Sequence, residues 1–171
     1  ADFTANTACA NGTTTFTNTS AISTGSLSTY NWQFGDGGLS SLNQPTHQYA
    51  TAGNYVVTLT VTSNNNCTNS ISHTVSVNPL PAALFTAVSV CDGLPMNFTN
   101  NSTITSGSIT NYTWDFESNG SIDATATSPN HLYTGSGTYV ALLTATSNNN
   151  CVASYSQAVT VHPNPVVQVS A

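Results

Sequence analysis

Tyr30-Asn31-Trp32-Gln33-Phe34 and Tyr112-Thr113-Trp114-Asp115-Phe116 are one five-residue segment written twice, 82 residues apart. In both copies three aromatic side chains alternate with polar ones, the period-two pattern of a β-strand that buries one face. The strand is followed by Asp36-Gly37 in one copy and Asn119-Gly120 in the other, dipeptides that favour hairpin turns. A strand with an aromatic face followed by a tight turn points to an antiparallel sheet, and its recurrence points to a repeat.

Outward from this segment the repeat extends over almost the whole chain. Phe3-Thr4-Ala5 returns as Phe85-Thr86-Ala87, Cys9 as Cys91, and Phe16-Thr17-Asn18 as Phe98-Thr99-Asn100. After a two-residue insertion at the turn the offset becomes 84, and Pro45-Thr46-His47-Gln48-Tyr49 matches Pro129-Asn130-His131-Leu132-Tyr133. Ser63-Asn64-Asn65-Asn66-Cys67 then matches Ser147-Asn148-Asn149-Asn150-Cys151. Two domains are expected, 1–80 and 81–164, followed by a strand-like tail at 165–171. Pro79-Leu80-Pro81 favours extended polyproline geometry and acts as a semi-rigid linker.

Each domain reads as all-β. Tyr55, Val57, Leu59 and Val61 share one face of a strand whose other face is mainly Thr, and Ile71, His73, Val75 and Val77 alternate with Ser72, Thr74 and Ser76. No segment sustains a 3.6-residue period. About seven short strands in roughly 80 residues, around a buried Trp, describe an immunoglobulin-like β-sandwich.

The composition narrows function by exclusion. The 171 residues contain no Lys or Arg against six acidic residues, for a net charge of −6. Nucleic-acid binding needs basic side chains to displace counterions from phosphates, and docking on anionic lipid needs them too. Lys Schiff bases, phosphate loops and Arg clamps are equally impossible. Thr (29), Ser (22) and Asn (21) fill the polar positions instead. No apolar run is long enough to span a membrane, and no charged start with an apolar stretch marks a signal peptide. The chain reads as a mature secreted protein or a piece of a longer one.

Three segments of the first repeat resemble the polycystic kidney disease (PKD) domain, an immunoglobulin-like family of bacterial and archaeal surface proteins. They are Trp32-Gln33-Phe34-Gly35-Asp36-Gly37, Pro45-Thr46-His47-Gln48-Tyr49 and Gly53-Asn54-Tyr55-Val56-Val57-Thr58-Leu59. In the second repeat Glu117-Ser118-Asn119-Gly120 replaces the Gly-Asp-Gly turn, which resembles a longer variant and puts any role of the short turn in doubt there. The resemblance implies two tandem PKD-type sandwiches. As to function it implies spacers, adhesive units or appendages of secreted hydrolases, among which fold alone does not choose.

Repeat symmetry pairs Cys9 with Cys67 and Cys91 with Cys151, one disulfide per domain, the alternative being four free thiols. In Asp115-Phe116-Glu117-Ser118-Asn119-Gly120-Ser121-Ile122-Asp123, oxygen-bearing residues alternate as in a calcium loop. Asp115, Glu117, Asn119 and Asp123 are therefore candidate Ca²⁺ ligands. Position 12 is Ala126, so the bidentate Glu is missing, and a solvated acidic hairpin is the competing reading. No cofactor is required. His47 and His131 suit a structural hydrogen bond, His73 and His162 have no counterpart in the other repeat and read as incidental, and Trp32 and Trp114 read as core anchors. Asn-x-Ser/Thr sequons fall at Asn11, Asn18, Asn66, Asn97, Asn100, Asn101, Asn111 and Asn119. Glycans at these positions would solubilise a surface that lacks charge.

No catalytic constellation is present, so an enzyme is not expected. The first expectation is a structural module of an extracellular or cell-surface fibre, stalk or adhesin. Val166, Val167, Gln168 and Val169 would add as a strand to a neighbouring copy or repeat, giving head-to-tail self-association. The alternative is a polysaccharide- or protein-binding accessory module of a secreted hydrolase.

Overall fold

The computed structural model describes residues 1–167. It divides into two units, the first running from Ala1 to Pro79 and the second beginning at Leu80. Every regular element among the described residues is a strand, so no helix is long and apolar enough to cross a membrane.

The first unit contains β1 (Phe3–Ala5), β2 (Ala8–Cys9), β3 (Thr13–Asn18), β4 (Leu27–Gln33), β5 (Leu39–Ser40), β6 (Thr46–Gln48), β7 (Gly53–Ser63) and β8 (Thr68–Asn78). They form two sheets, ordered β1-β3-β6 and β2-β8-β7-β4-β5. The chain changes sheet between β1 and β2, so β2 lies parallel to the end of β8, with Ala8 opposite Val77 and Cys9 opposite Asn78. Along β4 and β7 the register sets Trp32 opposite Leu59 and Tyr30 opposite Val61, which gathers the apolar residues on the inner face.

The second unit repeats the path with β9 (Phe85–Ala87), β10 (Val90–Cys91), β11 (Met96–Asn100), β12 (Ile109–Asp115), β13 (Asn130–His131), β14 (Gly137–Ser147) and β15 (Val152–His162). Its sheets are ordered β9-β11-β13 and β10-β15-β14-β12. Where the first unit has β5, the second has only a bridge between Trp114 and Ala124, because the two-residue insertion enlarges this turn.

The two cores match position for position. Phe3, Phe16, Trp32 and Phe34 are buried in one, Phe85, Phe98, Trp114 and Phe116 in the other. Each indole packs at 5.0–5.5 Å from two phenylalanine rings and donates its Nε1–H to a carbonyl 2.9 Å away, that of Leu42 or of Ala126. Both Trp side chains are therefore core anchors with their one polar atom satisfied. At one position the core residue changes from polar to apolar: Thr14 is fully buried where the second unit has Met96, and its hydroxyl has no hydrogen-bond partner.

The outer faces explain the missing charges. Thr58 and Ser72, Thr60 and Ser70, and Thr144 and Ser154 stand opposite each other with hydroxyl oxygens 2.8 Å apart. These cross-strand pairs occupy positions that opposite charges fill on many antiparallel sheets.

The cysteine pairing expected from repeat symmetry is not formed: Cys67 and Cys91 are free, exposed thiols. The reason is strand length. Cys9 is paired with Asn78 at the end of β8, whereas Cys67 immediately precedes Thr68 at its start. Eleven residues lie between these ends, roughly 33 Å along a strand, and a disulfide spans Cα atoms about 4.4–6.8 Å apart. Cys91, opposite His162, and Cys151, just before Val152, are separated in the same way by β15.

In the tail, Val166 and Val167 are exposed and belong to no strand, while Gln168 and Val169 lie outside the described residues.

Candidate functional site

Each unit holds a histidine against a carboxylate over an aromatic stack. In the first unit β6 carries His47, whose Nε2–H donates to Asp36 Oδ2 at 2.7 Å. The imidazole lies flat on Phe34, centroids 4.2 Å apart and planes within 9°, and meets Tyr49 edge-on at 4.7 Å. Asp36 also accepts Gly38 N–H through Oδ1 at 2.9 Å, closing the β4–β5 turn. Burial pushes the Asp36 carboxyl up, but the bonds from His47 and Gly38 outweigh it and hold the group below the usual aspartate range. A side chain at Gly38 would strike the ring, since a Cβ there would lie 2.5 Å from His47 Cε1. The Tyr49 hydroxyl donates to Phe34 O at 3.0 Å, and its burial raises its pKa above the ordinary tyrosine range, which keeps the donor protonated.

The second unit builds the same arrangement from a different turn. His131 Nε2 lies 2.9 Å from Glu117 Oε1, stacks on Phe116 at 4.3 Å and meets Tyr133 edge-on at 4.5 Å. Tyr133 donates to Phe116 O at 3.1 Å. Gly-Asp-Gly is absent from this turn, yet Glu117 takes over the contact that Asp36 makes. The signal that would have found it is an acidic residue within two positions of the strand's last Phe in both repeats.

The candidate calcium ligands are partly brought together. Carboxylate oxygens of Asp115, Glu117 and Asp123 lie within 4.8 Å of one another. Glu117 and Asp123 are exposed, as in a solvated hairpin, whereas Asp115 is buried and accepts Asn119 N–H and Gly120 N–H, one on each oxygen, at 3.1 and 2.8 Å. Asp123 Oδ2 accepts Phe116 N–H at 2.7 Å, and Asn119 Oδ1 accepts Ser121 N–H at 2.8 Å. These oxygens thus serve as backbone caps for a loop that has no ladder partner. Hard oxygen donors suit Ca²⁺; here both oxygens of Asp115, one of Asp123 and one of Glu117 bond to N–H groups and to His131.

Neither dyad has a nucleophile beside it, and its histidine is braced by stacking rather than presented to a cleft. The geometry is that of a tether fastening the β6 or β13 segment to the turn after the Trp strand. The PKD domain family model matches residues 1–79 and again 76–162, which contain both copies of this arrangement.

The chain belongs to the PKD domain family.

It is built from two PKD domains in tandem. It is similar to the microbial collagenase of Vibrio alginolyticus, 45% identical over 49 residues, covering 29% of this chain and 6% of that protein. It is also similar to the pre-pro-metalloprotease PrtV of Vibrio cholerae serotype O1, 42% identical over 69 residues, covering 39% of this chain and 8% of that protein. The chain thus matches only a small fraction of these curated relatives. Among solved structures it is similar to the PKD1 domain of Vibrio anguillarum Epp, at 29% identity and a TM-score of 0.45, covering 51% of this chain and 99% of that one.

The remaining expected sites fall on the PKD scaffold as follows. His73, read as incidental, has partners: its Nε2 lies 3.0 Å from Asp2 Oδ1 and its ring meets Phe3 edge-on at 4.8 Å. The bond from His73, with that from Phe3 N–H, holds the Asp2 carboxyl below its usual range. His162 is exposed. Of the sequons, Asn11, Asn66, Asn97, Asn101, Asn111 and Asn119 are exposed. Asn18 and Asn100 are half-buried, Asn18 bonding to Asn43 and Ser20, and Asn100 to Ser102. Asn11 and Asn66 have left-handed backbone, φ 61° and 60°, as turn residues.

Proposed function

We propose that the tandem PKD domains are an accessory module of a secreted hydrolase acting on protein, docking on substrate while catalysis resides elsewhere. The observation that carries this reading is the similarity to the V. cholerae metalloprotease and the V. alginolyticus collagenase, of which the matched part is 8% and 6%. The same relatives support an extracellular location. The surface fits such a role chemically: paired Thr and Ser hydroxyls on the sheets and exposed Asn amides present neutral donors and acceptors to a fibrous polymer. Co-sedimentation with insoluble fibrous protein and, in parallel, with insoluble polysaccharide tests the proposal. Saturable binding to the protein polymer supports it, and an absence of binding to it removes the docking role.

A second reading, head-to-tail strand addition, is favoured by the edge of β8. Among the described residues β2 covers only Val77 and Asn78 on the side of β8 away from β7. Removing residues 166–171 should abolish any self-association, and association unaffected by that deletion would refute this reading.

A further inference from the structure

The cysteines sit at opposite poles of each domain. In the first domain the Ala1 amine donates to Asn69 Oδ1 at 2.6 Å, so the chain start and the turn holding Cys67 share the N-terminal pole. In the second domain, Leu84 O accepts Asn101 N–H and Ser108 O accepts Asn148 N–H, so the turn holding Cys151 lies at that domain's N-terminal pole. Cys9 and Cys91 mark the C-terminal poles, opposite Asn78 and His162 respectively. Asp92 N–H donates to His162 O at 2.9 Å, and Asn164 Nδ2 donates to Asp92 O at 3.0 Å, which keeps Cys91 beside the departing chain.

The turn cysteine is held the same way in both domains. In the Ser-Asn-Asn-Asn-Cys turn the buried Ser63 Oγ accepts Cys67 N–H at 3.2 Å, and Ser147 Oγ accepts Cys151 N–H at 3.1 Å. Asn66 and Asn150 take left-handed backbone, φ 60° and 58°. Pairing within a domain is excluded by the length of β8 or β15. Cys67 and Cys91 are exposed free thiols, whereas the residues at the same two positions of the other repeat, Cys151 and Cys9, are disulfide-bonded. The same two positions therefore occur both free and disulfide-bonded in one chain, so each position is competent to form a disulfide.

We propose that Cys91 and Cys67 are the two halves of an inter-repeat disulfide, the C-terminal-pole cysteine of one PKD domain closing on the N-terminal-turn cysteine of a PKD domain further along the same chain. The partner is a covalently linked repeat, reached through a Pro spacer such as Pro163-Asn164-Pro165. The bond forms by exchange with a low-molecular-weight disulfide. The Cys91 thiolate attacks one sulfur of it and releases one thiol. The Cys67 thiolate of the linked repeat then attacks the Cys91 sulfur of the mixed disulfide and releases the second. Two protein S–H groups are oxidised, one S–S bond forms, and the small disulfide is reduced to two thiols. Such a bond would pin successive domains in series, a function distinct from the stapling of a single core.

The test is a tandem duplication in which Pro165 leads directly into a second Ala1, equilibrated with reduced and oxidised glutathione and alkylated without reductant. Each single chain carries two free thiols, so the duplication begins with four; the proposal expects two, at Cys67 of the first copy and Cys91 of the second. Chymotryptic mapping should return a peptide joining Cys91 of the first copy to Cys67 of the second. Cys91→Ser in the first copy should leave three alkylated thiols; the side chain is exposed, so the fold is undisturbed. Single chains treated in parallel should remain monomeric with two thiols. Four thiols in the duplication, or cross-links joining separate molecules instead of linked repeats, would overturn the proposal.

Discussion

Glu117 reaches His131 at 2.9 Å from a backbone position one residue before the one that Asp36 occupies in the first domain. The extra methylene of glutamate covers the displacement, so the same imidazole is held on the same phenylalanine although the turn sequence and length have changed. The contact is maintained because the carboxylate relieves a half-buried ring nitrogen that would otherwise lack a partner.

The Asp36 contact makes the first domain acid-sensitive. Its carboxyl is held below the usual aspartate value when folded, so its contribution is present above that value and is lost as pH falls through the depressed one. Urea unfolding between about pH 5 and pH 3 should show wild-type stability falling. Asp36→Asn should be less stable at pH 6 and flatter over this range. Parallel curves for the two proteins would contradict the assignment.

Thr14→Val should stabilise the first domain. The buried hydroxyl has no partner, and an isosteric methyl removes a desolvation cost of about 1–3 kcal/mol. The second domain already has an apolar residue, Met96, at this position. Calorimetry should show a rise of several degrees for the first domain, and a lower Tm would indicate that the hydroxyl is bonded in solution.

Gly38→Ala should act on His47 rather than on the backbone. The added methyl collides with the imidazole, which is fixed by Phe34 and Asp36, and relief requires the ring to leave the stack. A loss of about 1–3 kcal/mol is expected, with a changed ring-current shift of the His47 protons in NMR. An unchanged shift would show that the methyl is absorbed elsewhere.

Asp115→Asn should destabilise the second domain by about 1–3 kcal/mol, since an amide offers one acceptor oxygen to two N–H groups. With those oxygens engaged, chelator should leave the melting transition in place. A fall of Tm on chelation, reversed by added Ca²⁺, would show that an ion displaces these bonds.

Most of the fold was legible because strand alternation is a local signal. Tyr30, Trp32 and Phe34 announce a buried face in three residues, and a second copy 82 residues on confirms the pattern independently. The Glu117 to His131 contact was not legible, because a bond across fourteen residues depends on turn shape. His73 was misjudged for a similar reason: its partner, Asp2, is 71 residues away in sequence.

The cysteines mark the division most clearly. Composition and periodicity suffice for two β-sandwiches with neutral, hydroxyl-covered faces, since burial of alternate side chains is a property of neighbouring residues. Repeat symmetry shows that Cys9 corresponds to Cys91 and Cys67 to Cys151, but it carries no distance. Strands β8 and β15 supply it: each sets its domain's two cysteines at opposite ends of an eleven-residue ladder. A covalent bond of fixed length cannot follow a symmetry that the strand has pulled apart.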